Sequence, residues 1–154
     1  NVPRLAFINK LDRQGSNPKK VINDLRNQLK LNASAVQLPI GLEDSHSGVV
    51  DLIKNKSYTF DGEKGENIIE GDVPNDMKDL VEEKRMELIE NLADVDDEIG
   101  ELFLMEEEPT EDQLKEAIRR QTIARVKEAS TIQTIIFEPN VTMFLFLLFL
   151  TCSS

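Results

Sequence analysis

The chain has 154 residues, with 18 Lys+Arg against 29 Asp+Glu, a net charge of -11 and 40% hydrophobic residues. This suits one folded domain and leaves no room for a multidomain machine. A single cysteine, Cys152, and a single histidine, His46, exclude an intrachain disulfide and a Cys/His zinc cluster. The acidic balance argues against nucleic-acid binding by the surface as a whole, since phosphates are drawn to clusters of Lys and Arg; any RNA contact is expected to be local.

The chain starts at Asn1, and Val2 to Ile8 reads at once as a strand, which gives the expectation of an excised piece of a longer protein. Within it Leu5, Ala6, Phe7 and Ile8 form an unbroken apolar run, the pattern of a strand buried on both faces of a parallel sheet. A polar loop, Asn9 to Ser16, follows. Asn17 is a suitable N-cap and Pro18 fits the first helical position, where its missing N–H costs nothing. Val21, Ile22, Leu25 and Leu29 then share one helix face, which completes half of a βαβ unit.

Val36 to Ile40, Gly48 to Ile53 and Tyr58 to Phe60 read as further strands, and Asp61-Gly62 as the start of a turn. Pro74 precedes a long helix predicted over Asp76 to Ala93, with Met77, Leu80, Val81, Leu88, Ile89 and Leu92 on its buried side. Ile99 to Met105 predicts a shorter helix. Thr110 with Gln113 three residues on is a capping box opening a helix to about Lys127, with Leu114, Ala117 and Ile118 turned inward. The apolar run Val141 to Leu150 is too short to span lipid, which takes about 20 residues; it reads as a buried strand or as a tail foreign to the domain. The fold class expected is α/β with an acidic α+β insert.

Charge is blocked along the chain. Residues 1–30 carry seven Lys+Arg against two Asp+Glu, residues 61–112 four against 21, and residues 113–128 five against two. The middle block is expected to be a distinct surface, solvated or facing a basic partner. Within or beside it, Glu106, Glu107 and Glu108 read as a solvated turn rather than a cation site, and Arg119 and Arg120 as partners for the acidic block ahead of RNA contacts. His46, between two serines, is expected in solvent without a role.

The residues that point to chemistry are Asn9, Lys10 and Asp12, an N-K-x-D pattern between a buried strand and a capped helix. In open α/β sheets ligands bind beyond the carboxyl ends of the strands, where this loop lies. A fixed carboxylate at Asp12 can accept two parallel hydrogen bonds from a ring N–H and an adjacent exocyclic amine. Guanine presents that pair and adenine does not. An unmade buried hydrogen bond costs about 1–3 kcal/mol, enough to discriminate between the two bases. Asn9 offers a donor and an acceptor to the opposite edge of the base or to a neighbouring loop, and the Lys10 stem can lie along the ring. The same residues also suit an Asx-rich turn with Asp12 bonded to its own loop.

The segments VPRLAFINKLDRQGSNP, LPIGLEDSHSGVVDLI, YTFDGEKGE, LIENLADVDDEIGELFL and LKEAIRRQTIAR resemble, in order, the GTP-binding domain of elongation factor G, most closely its mitochondrial form. The resemblance covers about Val2 to Arg125. It implies a partial P-loop-NTPase-type G domain: residues 1–32 a remnant carrying the guanine-specificity motif Asn9, Lys10 and Asp12, residues 33–128 the α+β subdomain inserted into that domain, and residues 129–154 a divergent tail. It further implies GTP or GDP as ligand, with Mg2+ only in a complete protein. The implied partners are the ribosome, with the acidic insert toward the ribosomal stalk protein, and no membrane. A monomer, a mitochondrial location and a part in translocation of tRNA and mRNA follow from the same resemblance.

Hydrolysis in this family needs a Gly-rich phosphate loop with its lysine and switch segments, and no G-x-x-x-x-G-K-[ST] stretch occurs here. The chain alone is therefore expected to be inactive and to bind nucleotide poorly. After Arg125 it also departs from the family, whose Ser-Ala loop over the base is replaced by VKEASTIQTIIFEPN and the apolar run, as if the tail came from a truncated or misjoined reading frame. The alternatives are a sister factor that recycles ribosomes and a non-enzymatic acidic interaction module in which the NKLD turn is structural.

Overall fold

The computed structural model describes residues 5–28, 32–61, 67–124 and 132–137. Strand β1 (Leu5–Ile8) leads through the polar loop into helix α1 (Pro18–Asn27) and then strand β2 (Asn32–Ala35). β1 and β2 do not pair. Strand β7 (Ile132–Phe137) lies between them and is parallel to both, with Ile8 opposite Phe137 and Ala35 opposite Ile135. The parallel sheet and crossover helix follow the βαβ expectation. Burial on both faces does not: Phe7 is 53% exposed, because β1 is an edge strand and the face bearing Phe7 is left open among the described residues.

The divide placed at residues 32 and 33 falls inside β2, and the segment set apart as a tail supplies the middle strand of this sheet. The Asp61-Gly62 turn, Leu29, the stretch from Arg125 to Lys127 and the apolar run Val141 to Leu150 lie wholly or partly outside the described residues.

Helix α1 begins as its sequence dictates. The Asn17 side chain accepts a hydrogen bond from the Lys20 N–H at 2.9 Å, and buried Pro18 occupies the first turn. Such a cap contributes about 1 kcal/mol. Ile22 and Leu25 pack on the core, whereas Val21 lies at its margin, 39% exposed.

Strands β3 (Gln37–Ile40), β4 (Gly48–Asp51), β5 (Lys56–Asp61) and β6 (Asn67–Gly71) form an antiparallel meander, with Leu38 opposite Val50, Val49 opposite Tyr58 and Thr59 opposite Ile69. β4 is internal, and Gly48, Val49 and Val50 are all buried.

After a single 3-10 turn at Asn75–Met77 come helices α2 (Lys78–Ala93), α3 (Asp97–Leu104) and α4 (Glu111–Ala124). α2 buries Val81, Leu88, Ile89 and Leu92, but Leu80 is 44% exposed along a cavity. The capping box is present: the Thr110 N–H donates to Gln113 Oε1 at 3.0 Å and the Gln113 N–H to Thr110 Oγ1 at 3.3 Å.

One buried cluster runs from Leu11 through Ala33, Val50, Leu52, Leu88, Leu92 and Ile99 to Ile118, so both sheets and all four helices share a core. Polar ties cross it. Asn91 Nδ2 of α2 donates to Ser34 Oγ of β2 at 2.9 Å; Arg26 of α1 donates to the Ala33 carbonyl at 2.8 Å and pairs with Glu87 of α2. Arg85 donates to the Leu52 and Ile53 carbonyls and pairs with Glu108.

The acidic block thus pairs in part with arginines of the same domain, Asp96 and Glu87 largely covered, Glu98 and Glu108 on its solvated face. Glu87, Asp96, Glu98 and Glu108 each hold an arginine, while Glu106 and Glu107 are exposed.

Candidate functional site

The N-K-x-D residues sit on one tight loop beyond the carboxyl end of β1, held from beneath by Leu11, 1% exposed and part of the core. The Arg13 N–H donates to the Lys10 carbonyl at 3.1 Å and the Ser16 N–H to the Arg13 carbonyl at 3.1 Å, so the loop is two successive turns. Lys10 takes a left-handed φ of 64°. For a non-glycine residue that conformation costs about 1–2 kcal/mol and persists where surrounding bonds fix it. Here Asn9 Oδ1 accepts from the Lys10 N–H at 2.6 Å, which uses the Asn9 oxygen within the loop and leaves its amide donors as the part of that side chain able to meet a ligand.

Asp12 is placed differently. Its Oδ2 lies 3.7 Å from Arg13 Nε with the side chain 33% exposed, while Oδ1 is buried and has no hydrogen-bond partner among the described residues. A buried carboxylate oxygen without a donor is unfavourable by about 1–3 kcal/mol and is uncommon in folded proteins. The loop therefore does not satisfy Asp12 from its own backbone, as an Asx turn would.

The second wall of this region comes from the 3-10 turn Glu43–Ser45, between β3 and β4. The Glu43 N–H donates to the Leu11 carbonyl at 2.7 Å, and Glu43 Oε1 accepts from the Gly15 N–H at 2.7 Å. The stretch Gly41 to Ser47 reads in the sequence as a polar turn, but nothing in it signals a contact with a loop almost thirty residues earlier.

His46, expected in solvent, is only partly so. It is half-buried, with Nδ1 3.3 Å from the Gly41 carbonyl and Nε2 buried without a partner among the described residues.

A cavity of about 610 Å³ opens beside the loop, between α1, β2, β3, the Gly41–Ser45 turn and α2. Ser16 and Glu43 border it, but Asn9, Lys10 and Asp12 do not. Among the described residues no group of three or more His, Cys, Asp or Glu is placed to hold a metal ion, and no helix is long and apolar enough to cross a membrane.

No family model matches the chain. The crystal structure of a protein from Thermus thermophilus matches it with a TM-score of 0.71 over 88% of the chain, at 23% sequence identity. The chain spans 19% of the length of that protein. At this identity the likeness establishes a common mixed α/β fold, with its antiparallel four-stranded sheet, and carries no activity with it.

Proposed function

We propose that this chain is part of a ribosome-dependent translational GTPase of the elongation factor G type, and that Asn9, Lys10 and Asp12 read the guanine of GTP or GDP. The observation that supports this most is the buried, unpartnered Oδ1 of Asp12 in a loop at the carboxyl end of a parallel strand. A guanine ring N–H and its exocyclic amine would supply two donors to this carboxylate once its side chain turns the buried Oδ1 outward, and adenine offers no equivalent pair. Asn9 contributes its amide donors to the opposite edge of the base, and Lys10, exposed, lays its stem along the ring.

The chain itself supplies recognition and not hydrolysis. Phosphate binding and magnesium belong to a Gly-rich loop that its sequence does not contain. The partner proposed for the exposed acidic residues is the ribosomal stalk, and the setting proposed is mitochondrial translocation.

A purely structural NKLD turn is the competing reading, and the bond from the Lys10 N–H to Asn9 Oδ1 favours it. The two separate on ligand titration. GDP and ADP are titrated into the chain and its Asp12→Asn variant at millimolar concentration, following backbone amide resonances of residues 9–16. Guanine recognition predicts shifts with GDP that exceed those with ADP and vanish in the variant. Equal response to both nucleotides would remove the assignment.

A further inference from the structure

We infer that Glu43 is the positioning residue for base reading, fixing the Asp12 loop from the neighbouring turn between β3 and β4. The inference rests on the guanine reading above for its purpose, but on separate observations for its substance. Glu43 grips the loop at two points that bracket Asp12: its N–H donates to the Leu11 carbonyl and its carboxylate accepts from the Gly15 N–H, both at 2.7 Å. Ser16 Oγ donates to the same Leu11 carbonyl at 2.9 Å, so that peptide is held from both sides.

Glu43 reaches this geometry with a left-handed φ of 55°, a conformation that a residue of its size adopts only when its neighbours enforce it. They do so here. Ser45 Oγ donates to the Leu42 carbonyl at 2.7 Å, the His46 N–H donates to the Glu43 carbonyl at 3.0 Å, and Gly41, at φ 72°, packs so closely on Ser45 that a Cβ there would lie 2.1 Å from its carbonyl oxygen. Strain is thus held in the turn that grips the loop. That turn joins β3 to β4, so the base-reading loop and the four-stranded sheet are tied through the backbone and side chain of one residue. A base-specific carboxylate needs this, because displacement by an ångström is enough to spoil a two-point hydrogen bond.

The test uses the full chain and three variants, Glu43→Ala, Glu43→Gln and Glu43→Gly. Glycine removes the side chain while accepting the left-handed backbone, so it separates loss of the clamp from loss of the fold. Amide hydrogen exchange at Gly15 is read first, then the GDP-to-ADP preference from resonance shifts. We expect exchange at Gly15 to quicken about tenfold or more in the Ala and Gly variants, with the guanine preference falling in parallel, and Gln, which keeps the acceptor oxygen, to restore most of both. Unchanged Gly15 exchange in Glu43→Gly, or a guanine preference retained there in full, would overturn the inference. Should the unaltered chain show no guanine preference, the proposed function fails on its own account. The loop-holding role then stands if Gly15 loses protection in Glu43→Gly and falls if it does not.

Discussion

Arg120 meets Asp96 side on across 24 residues of sequence: Nε reaches Oδ2 at 3.0 Å and Nη2 reaches Oδ1 at 2.8 Å. The pair fastens α4 to the start of α3, where Asp96 is also the N-cap, accepting from the Ile99 N–H, and where Gln121 donates to it at 3.1 Å. Arg120 keeps a second hold on Glu98 at 2.8 Å.

Hydrogen bonds from the Arg120 guanidinium hold the Asp96 carboxyl below the usual carboxylate range, against the opposing effect of burial. Its folded pKa is therefore lower than its unfolded one, so the stability it adds is present in full above about pH 4 and is lost as pH falls through the depressed value. The Asp96→Ala variant, lacking both cap and ion pair, should lose about 2 kcal/mol at neutral pH. Its stability should also be less sensitive to acid below pH 4 than that of the parent. Urea unfolding at pH 7 and pH 3 measures both. An equal gap between the two proteins at the two pH values would show that the pair is not what links stability to acid.

Gly41→Ala should be costly although Gly41 is exposed. Alanine at φ 72° is strained, and its Cβ would stand 2.1 Å from the Ser45 carbonyl, a backbone atom that cannot rotate away. A loss of about 2 kcal/mol or more is expected in thermal or denaturant unfolding. Gly15→Ala makes a control, since at φ 83° it is strained as well but meets nothing within 4 Å. The first variant should be clearly the worse of the two.

Leu11→Ala should destabilise by about 3 kcal/mol, as expected for deleting a fully buried leucine. Leu11 is the plug beneath the Asp12 loop and belongs to the cluster that reaches Leu114 in α4. Its loss should therefore lower the midpoint of the whole unfolding transition rather than fray the loop alone. Circular dichroism and loop resonances followed in parallel would reveal a separate early loop transition if that view is wrong.

The fold was legible where side chains carry a period or a cap. Asn17, Pro18, Thr110 and Gln113 announce α1 and α4, and Leu88, Ile89 and Leu92 announce α2, because those residues act locally or repeat at the helical spacing. β2 and β6 were not legible. Asn32–Ala35 has small and polar residues, of which Ala33, Ser34 and Ala35 are buried by distant elements, β7 beside them and α1 and α2 against them, and at Asn67–Gly71 the side chains from Asn67 to Glu70 are exposed, so no alternation of apolar and polar positions marks the strand. β7 falls within the stretch read as a tail: Ile132–Phe137 is rich in β-branched residues that suit a strand, but nothing local says that its partners lie about a hundred residues earlier. The same holds at the site. Asn9, Lys10 and Asp12 stand out as letters, whereas Glu43 becomes visible only when two distant turns are brought together.

Asp12 itself provides the last test, because function and stability should part company there. A residue kept to shape its own turn loses a hydrogen bond when truncated, and Asp→Ala at such positions costs about 1 kcal/mol. Among the described residues Asp12 has no such bond to lose: Oδ1 is buried and unpartnered, and Oδ2 has a loose, partly exposed approach to Arg13 at 3.7 Å. Removing the carboxylate takes away an unsatisfied buried oxygen and a salt bridge of the kind worth little at a surface. Asp12→Ala should therefore unfold at the same denaturant concentration as the parent or a higher one, by up to about 1 kcal/mol, the pattern of a residue held for binding at some cost to stability. A clear destabilisation, with the loop resonances of residues 9–16 collapsing toward random-coil values, would mean that the carboxylate holds up the turn, and the structural reading of the NKLD loop would prevail.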